Sequence, residues 1–419
     1  MIEIVNKQNC CGCTACASIC PRQCITMKRD DEGFMYPSID KAKCIDCHLC
    51  EEKCPVLGRK KISALPGVDK AEINRNAVEE AKYIPSTYVC FLKDDKIREK
   101  STSGGMFTAL AQHVLKQGGI VCGVVLDKNQ NVFHTFANNE NTLEEMRGSK
   151  YVQSNQVGIY QKVEEALKQG TTVLYSGTPC QIAGLKSYLG NDYEKLITVD
   201  IICHGVGSPL YWEKYVQYVS EKMDSKVKEV RFREKTYGYN SACMAIYFEN
   251  GKSSHKGHDD DLYWTAFSKN YIYRPSCYAC AFKSINHMAD FSIGDFWNST
   301  KLPEKFKSAN GCSLVLCHSN VAIEIMKKIE KLIEAQPVEL VDALNINGGH
   351  QASMLVACPS VPTKRKEWFN DMQKLSPQEL VKKYIPIRMK GKIKSRIKPL
   401  LYKIGLLETI KKRSYETDL

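Results

Sequence analysis

The chain has 419 residues, 43% of them hydrophobic, enough for a small module plus one or two full-sized domains with buried cores. Its twenty cysteines accompany an N-terminus without an apolar export segment, and no run approaches the ~18 apolar residues of a membrane span, so a disulfide scaffold and a membrane-spanning protein are disfavoured and a cytoplasmic location is expected. The net charge of +12 is local, because residues 382–413 hold twelve Lys or Arg and one acid, Glu408.

The run CCGCTACASICP (10–21) recurs as CIDCHLCEEKCP (44–55). CxxCxxCxxxCP present twice is the spacing of a bacterial dicluster ferredoxin, in which three close thiolates reach one [4Fe–4S] cubane and the fourth, turned away by proline, reaches the other. Cys10, Cys13, Cys16 and Cys54 are therefore expected to hold one cluster, and Cys44, Cys47, Cys50 and Cys20 the second. Zinc usually takes two separated CxxC pairs, which this double register is not. Cys11 and Cys24 fall outside the register and are expected as packed thiols. Between the repeats, CITMKRDDEGFMYPSI reads as two short strands around an Asp-Glu-Gly turn. Residues 1–58 form the predicted ferredoxin domain, and the polar stretch 59–86, with Pro66-Gly67, is the predicted linker.

From residue 87 strand and helix patterns alternate: TYVCFL, a helix carrying Phe107, Leu110, Ala111, Val114 and Leu115, then IVCGVVL, a helix near 156–169, TTVLYS, QIAGLKSYL, LITVDIIC and PLYWEKYVQYVSEK. Residues 226–256 read instead as antiparallel strands with a tight turn at Asn250-Gly251. The expected class is α+β: a small ferredoxin-like dicluster domain followed by a larger α/β domain with a mixed sheet over 87–360. Residues 361–419 are expected as a basic helical tail. That tail intersperses Leu400, Leu401, Ile404, Leu407 and Ile410 among its basic residues, a pattern that suits an anionic membrane surface, an acidic partner or a solvated helix. Without a reading motif or aromatic interleaving it does not suit nucleic acid.

Four later cysteines stand where a third cluster would need them. Cys180 follows Thr178-Pro179 in the first turn of a predicted helix, where exposed amides favour a thiolate. Cys203 ends a strand, and Cys277 and Cys280 form a CxxC pair. The alternative is that one or two of them are buried small hydrophobes. Cys90, Cys122, Cys243, Cys312, Cys317 and Cys358 lie mostly in apolar strands and read as packed.

STSGGMFTAL sets Ser103, Gly104 and Gly105 before a helix, an anion-binding arrangement that a plain capped helix start shares. RGSKYVQS offers Arg147 and Lys150 for phosphate, Tyr151 for stacking and Gln153 as a further cofactor contact; the alternative is a solvated loop. There is neither GxGxxG for a Rossmann site nor CxxxCxxC for radical S-adenosylmethionine chemistry. His204, beside Cys203, is a proton relay or a structural histidine, and no side chain is assigned as catalytic.

TSGGMFTAL, GSKYVQS, SGTPCQIAGL, CHGVGSP, RPSCYACAF and ADFSIGDFW together resemble the beta-subunit family of coenzyme F420-reducing hydrogenases and F420-dependent dehydrogenases, in the form fused to a dicluster ferredoxin. The resemblance implies FAD, a [4Fe–4S] cluster in the main domain, hydride exchange with a carrier such as coenzyme F420, and electron exchange with a redox partner protein or small carrier. For bacterial relatives it also implies a place in surface-polysaccharide biosynthesis. The competing expectation is a non-enzymatic subunit that only delivers electrons.

Overall fold

The computed structural model describes residues 2–57, 59, 70–297, 302–307, 310–345, 355–386 and 401. In the N-terminal module β1 (Ile25–Arg29) and β2 (Met35–Ile39) pair antiparallel, from Ile25↔Ile39 to Arg29↔Met35. The Asp30 side chain shapes their turn by accepting from the amides of Glu32 and Phe34 at 3.1 and 2.8 Å. Short helices Ala15–Ile19 and Leu49–Glu52 each begin inside a CxxCxxC run.

The main domain supplies β3 (Ser86–Leu92), β4 (Ile120–Leu126), β5 (Val132–Ala137), β6 (Val173–Gly177) and β7 (Leu196–Ile201). A separate antiparallel sheet follows, made of β8 (Val227–Glu234), β9 (Cys243–Phe248) and β10 (Ser253–Gly257). The chain then returns with β11 (Phe291–Phe296), β12 (Cys312–Cys317) and β13 (Ile333–Pro337) to complete an eight-stranded sheet in the order β13-β3-β12-β11-β7-β6-β4-β5. Its four central strands, β11, β7, β6 and β4, are parallel and its outer pairings antiparallel, so the sheet is mixed and the class α+β, as expected.

Strands β4 and β6 are apolar on both faces because each face is covered, whereas one face of β7 and β11 carries the buried polar residues Thr198, Asp200 and Ser292. Val121, Leu174, Val199 and Phe291 meet the helices Met106–Lys116 and Asn320–Lys328 on one side. Cys122, Val173 and Tyr175 meet Ile159–Lys168 and Pro179–Leu189 on the other. The second of these helices starts with a capping box between Thr178 and Gln181, with Pro179 in its first turn.

Two expectations need correction. The stretch expected as a linker, 59–86, contains the helix Lys70–Glu79, whose Ile73, Ala77 and Val78 pack on the Leu340 and Leu344 cluster. Asn74, fully buried, donates to Leu344 O and Asn345 Oδ1 at 3.3 and 2.7 Å. Overall polarity hid this short apolar face. Nor is 361–386 a tail: helices Arg365–Met372 and Pro377–Tyr384 bury Trp368, Phe369, Met372, Leu380 and Val381 in a core shared with the helices Pro209–Met223 and Leu262–Ser268. Lys366, Lys374, Lys382 and Lys383 sit on the outward face and mask that core contribution. The segment expected to touch a membrane lies outside the described residues apart from Leu401. Among the described residues no helix is long and apolar enough to cross a membrane.

Candidate redox site

Three groups of thiols form around the folds of the two parts. In the module, Cys10, Cys13, Cys16 and Cys54 line one small cavity, and Cys20, Cys44, Cys47 and Cys50 line another. The division follows the repeat register, with the last cysteine of each run crossing to the other group. Cys11 lines the first cavity and Cys24 the second, positions that the register did not anticipate; Cys24 Sγ lies 3.3 Å from Cys20 Sγ.

The third group comes from three places. Cys180 opens the helix after β6, Cys203 follows β7, and Cys277 and Cys280 lie on the turn Pro275–Ala279 and just after it. Burial, opposed by the nearby Lys283 and assisted by Cys180 and Cys280, pushes Cys203 up to about 12. Burial, then the thiol of Cys203, puts Cys277 at about 12. Thiols crowded this way repel one another as thiolates, and a polynuclear iron core is the partner that such a donor set fits. Backbone amides already point at sulfur: Asp46 N donates to Cys44 Sγ and Phe282 N to Cys280 Sγ, each at 3.4 Å. Two extra thiols flank the third group, Cys11 against Cys180 and Cys358, whose Sγ accepts from Cys280 N at 3.2 Å. Neither was apparent from spacing.

The module docks on the main domain through main-domain side chains that donate to its carbonyls. Gln153 reaches Cys11 O at 3.1 Å, Gln156 reaches Cys13 O at 2.7 Å, and Gln161 reaches Ser18 O at 3.1 Å. Ser187 reaches Lys53 O at 2.9 Å, Ser208 reaches Glu32 O, and Arg274 reaches Cys10 O and Met35 O at 2.8 and 3.0 Å. Gly184 lets the first cluster group approach the third, since a Cβ there would lie 2.7 Å from Cys13 Cβ and 2.6 Å from the Tyr160 hydroxyl. Gly184→Val should therefore strain this contact by about 1–3 kcal/mol. Calorimetry of the whole protein checks it: an unchanged melting profile would mean that helix and module do not bear on each other.

A cavity of about 1530 Å³ lies at the carboxyl ends of β6 and β7, beside Gly123 and Val124 of β4, and is bordered on the far side by the three-stranded sheet. Cys203 and His204 lie on its wall, so the third thiol group borders it. Ser103, Gly105, Lys150 and Tyr151 line it too. Gly104 does not: it packs on Cys90 O and donates to Ser313 Oγ at 3.0 Å. Gln153 is used at the module interface, where its Oε1 accepts from Arg274 at 2.8 Å, and it is not among the lining residues. Tyr151 sits among Phe232, Trp264 and Phe267, with ring centroids 4.5 Å apart for the Trp264 pair. Lys150 donates to Glu145 O and Arg147 O at 2.9 and 3.2 Å, and burial, with Arg147 nearby, lowers it to about 7. His204 packs edge-on against Tyr273. Sequence reasoning missed Arg233, which pairs with Asp295 at 2.7 Å and covers Trp297 on the cavity wall.

Clustered cysteines in a ferredoxin module, joined to an α+β domain, define an iron–sulfur electron-transfer protein. Residues 9–57 match the 4Fe-4S dicluster domain, and residues 87–159 and 170–341 match the N-terminal and C-terminal parts of the coenzyme F420 hydrogenase/dehydrogenase beta subunit. The chain belongs to that family, in its form with an N-terminal dicluster domain. It is 21% identical over 327 residues, 73% of this chain and 83% of the relative, to a subunit of the F(420)H(2) dehydrogenase of Methanosarcina mazei. The module alone is 39% identical over 56 residues to a subunit of the NADH-quinone oxidoreductase of Geobacter metallireducens, covering 12% of this chain and 43% of that protein. A solved structure of the F420-reducing [NiFe] hydrogenase complex from Methanosarcina barkeri is 22% identical, covering 70% of this chain and 91% of that one with a TM-score of 0.44.

Proposed function

We propose that the chain binds three [4Fe–4S] clusters and FAD and exchanges electrons between a hydride carrier and one-electron partners. The observation that carries this is the large cavity bordered by Cys203, with the third thiol group packed in turn against the first group of the ferredoxin module. Cys10, Cys13, Cys16 and Cys54 would hold one cluster, Cys20, Cys44, Cys47 and Cys50 the second, and Cys180, Cys203, Cys277 and Cys280 the third. FAD, when bound, supplies the exchange between paired and single electrons that clusters alone cannot perform.

The chain's own residues suit such a ligand in several ways. The cavity is larger than the ~300–1,000 Å³ of a drug-sized site, which fits an extended dinucleotide. The helix Met106–Lys116 points its N-terminus at the cavity behind Ser103 and Gly105, where amides and dipole favour a phosphate. Lys150 adds a cation and Tyr151 an apolar ring face. The carrier would enter from the side of the three-stranded sheet, where His255, Lys256 and His258 line the cavity. F420-type carriers fit the family, as do partner subunits, since relatives are named as parts of larger complexes. Surface-polysaccharide biosynthesis is the process we assign to the bacterial form.

Anaerobically prepared protein should take up FAD, and reduced F420 or reduced ferredoxin should bleach flavin and clusters ahead of NADH or NADPH. Protein that neither contains nor takes up FAD has no hydride acceptor, and the electron-delivery reading then replaces this one. A pH dependence follows from Lys150. An amine lowered to about 7 is neutral above that pH, whereas anion binding favours the ammonium form, so binding takes up a proton and weakens as pH rises. FAD affinity should fall by up to about tenfold per pH unit between 7 and 9. Fluorescence titration checks this: Lys150→Met should flatten the slope, and an unaltered slope would remove Lys150 from the site.

A further inference from the structure

Arg274 is fully buried and stands at the seam between the module and the main domain. Its Nε donates to Cys10 O at 2.8 Å, Nη1 to Gln153 Oε1 at 2.8 Å, and Nη2 to Met35 O at 3.0 Å and to Cys10 Sγ at 3.5 Å. The guanidinium lies 4.2 Å from the Tyr36 ring and 5.5 Å from Phe34, which exclude water from its faces. Room for it is made at Gly12, in the left-handed region at φ 71°, where a Cβ would fall 2.8 Å from Nη1. Three residues on, the amide of Cys277 donates to Arg274 O at 2.9 Å, so one turn ties this cation to the third thiol group as well.

Burying a guanidinium is costly unless an anion compensates it. Other arginines set into the fold have a carboxylate nearby: Arg98, fully buried, lies 3.7 Å from Asp95 Oδ1 besides donating to Gly311 O, and the partly buried Arg365 and Arg233 pair with Glu32 at 2.6 Å and Asp295 at 2.7 Å. The hydrogen-bond partners of Arg274 among the described residues are carbonyls, one amide oxygen and the Cys10 thiol. A cubane held by four thiolates is a net anion and gains a further negative charge on accepting an electron, so a cation beside it favours the reduced form.

We propose that Arg274 is the counter-cation of the cluster held by Cys10, Cys13, Cys16 and Cys54, and that it raises that cluster's reduction midpoint above the value the same ligands would give without it. The inference rests on the reading that these four cysteines hold a cluster. Reduction of a cluster held by these cysteines would be a plain one-electron step, the electron supplied by a cluster held by Cys180, Cys203, Cys277 and Cys280, and Arg274 would keep its proton throughout. Arg274 is a positioning and tuning residue.

The test is an anaerobic redox titration of the full-length protein followed by electron paramagnetic resonance. Cys16→Ala first identifies the midpoint belonging to this cluster, and by losing about four irons it also tests the underlying reading on its own. Arg274→Gln should then lower that midpoint the most and leave that of the cluster held by Cys20, Cys44, Cys47 and Cys50 in place, while Arg274→Lys, which keeps the charge, should hold it near the wild-type value. Gln153→Glu keeps the side-chain shape and gives Arg274 a carboxylate, so it should lower the same midpoint even if Arg274→Gln fails to accumulate. An unmoved midpoint in Arg274→Gln or Gln153→Glu overturns the proposal, as does a fall in Arg274→Lys equal to that in Arg274→Gln. If Cys16→Ala keeps all its iron, the cluster assignment fails, whatever Arg274 does.

Discussion

Cys203→Ala should lower the iron content of anaerobically prepared protein from about twelve to about eight per chain and spare the two module clusters. The choice of residue matters. Cys180 has Cys11 against it and Cys280 has Cys358 within reach of its amide, so a neighbouring thiol can take over when either is removed. Cys203 and Cys277 are the cleaner tests. Because Cys203 is on the cavity wall, the same variant should also weaken electron flow out of bound flavin while leaving FAD uptake intact. Iron analysis with flavin quantitation separates the two effects. A variant that retains about twelve irons would remove Cys203 from the ligand set.

Trp368→Ala should destabilise the main domain by about 3–5 kcal/mol, the cost of emptying a large buried aromatic site. Trp368 is fully buried and packs against Tyr211, Tyr271 and Tyr384, with ring centroids 5.5, 4.8 and 5.7 Å away. Its indole nitrogen has no hydrogen-bond partner among the described residues, so the loss is one of packing and Trp368→Phe should recover most of it. Chemical denaturation monitored by circular dichroism distinguishes the variants. If Trp368→Ala matched the wild-type protein, the helices of residues 365–384 would be an appendage after all.

The contrast between these two regions shows what a linear sequence exposes. The module's thiol grouping is legible because a cubane needs ligands at fixed short spacings, so the geometry is written into consecutive residues. The parallel centre of the sheet is legible in part for a related reason: β6 is a short apolar run followed directly by its covering helix, whereas β4 runs into strand β5 and β11 into strand β12. Arg274 was not legible, since the groups that define its role, Cys10, Met35 and Gln153, are far away along the chain. The helices containing Trp368 and Leu380 were obscured by their charged outward faces and by the dense basic run that follows. Gln153 was misread for the opposite reason: it shares a polar segment with Lys150 and Tyr151, yet a change of side-chain direction sends it to the module instead of the cavity.

The seam between the two parts has a consequence for how the molecule can change over generations. Its side-chain hydrogen bonds to Cys10, Cys11, Cys13, Ser18, Glu32, Met35 and Lys53 run in one direction, from the main domain onto peptide carbonyls. A carbonyl is offered by every amino acid, so these contacts recognise the path of the module's backbone rather than its composition. Apart from the contacts of Arg274 with Cys10 Sγ, Phe34, Tyr36 and Gly12 and the Glu32–Arg365 and Arg29–Glu213 ion pairs, the small partner's surface is at liberty to drift, provided its cluster-binding loops keep their shape. The large partner carries the specificity, and an unrelated dicluster ferredoxin of the same backbone would find most of its socket already prepared.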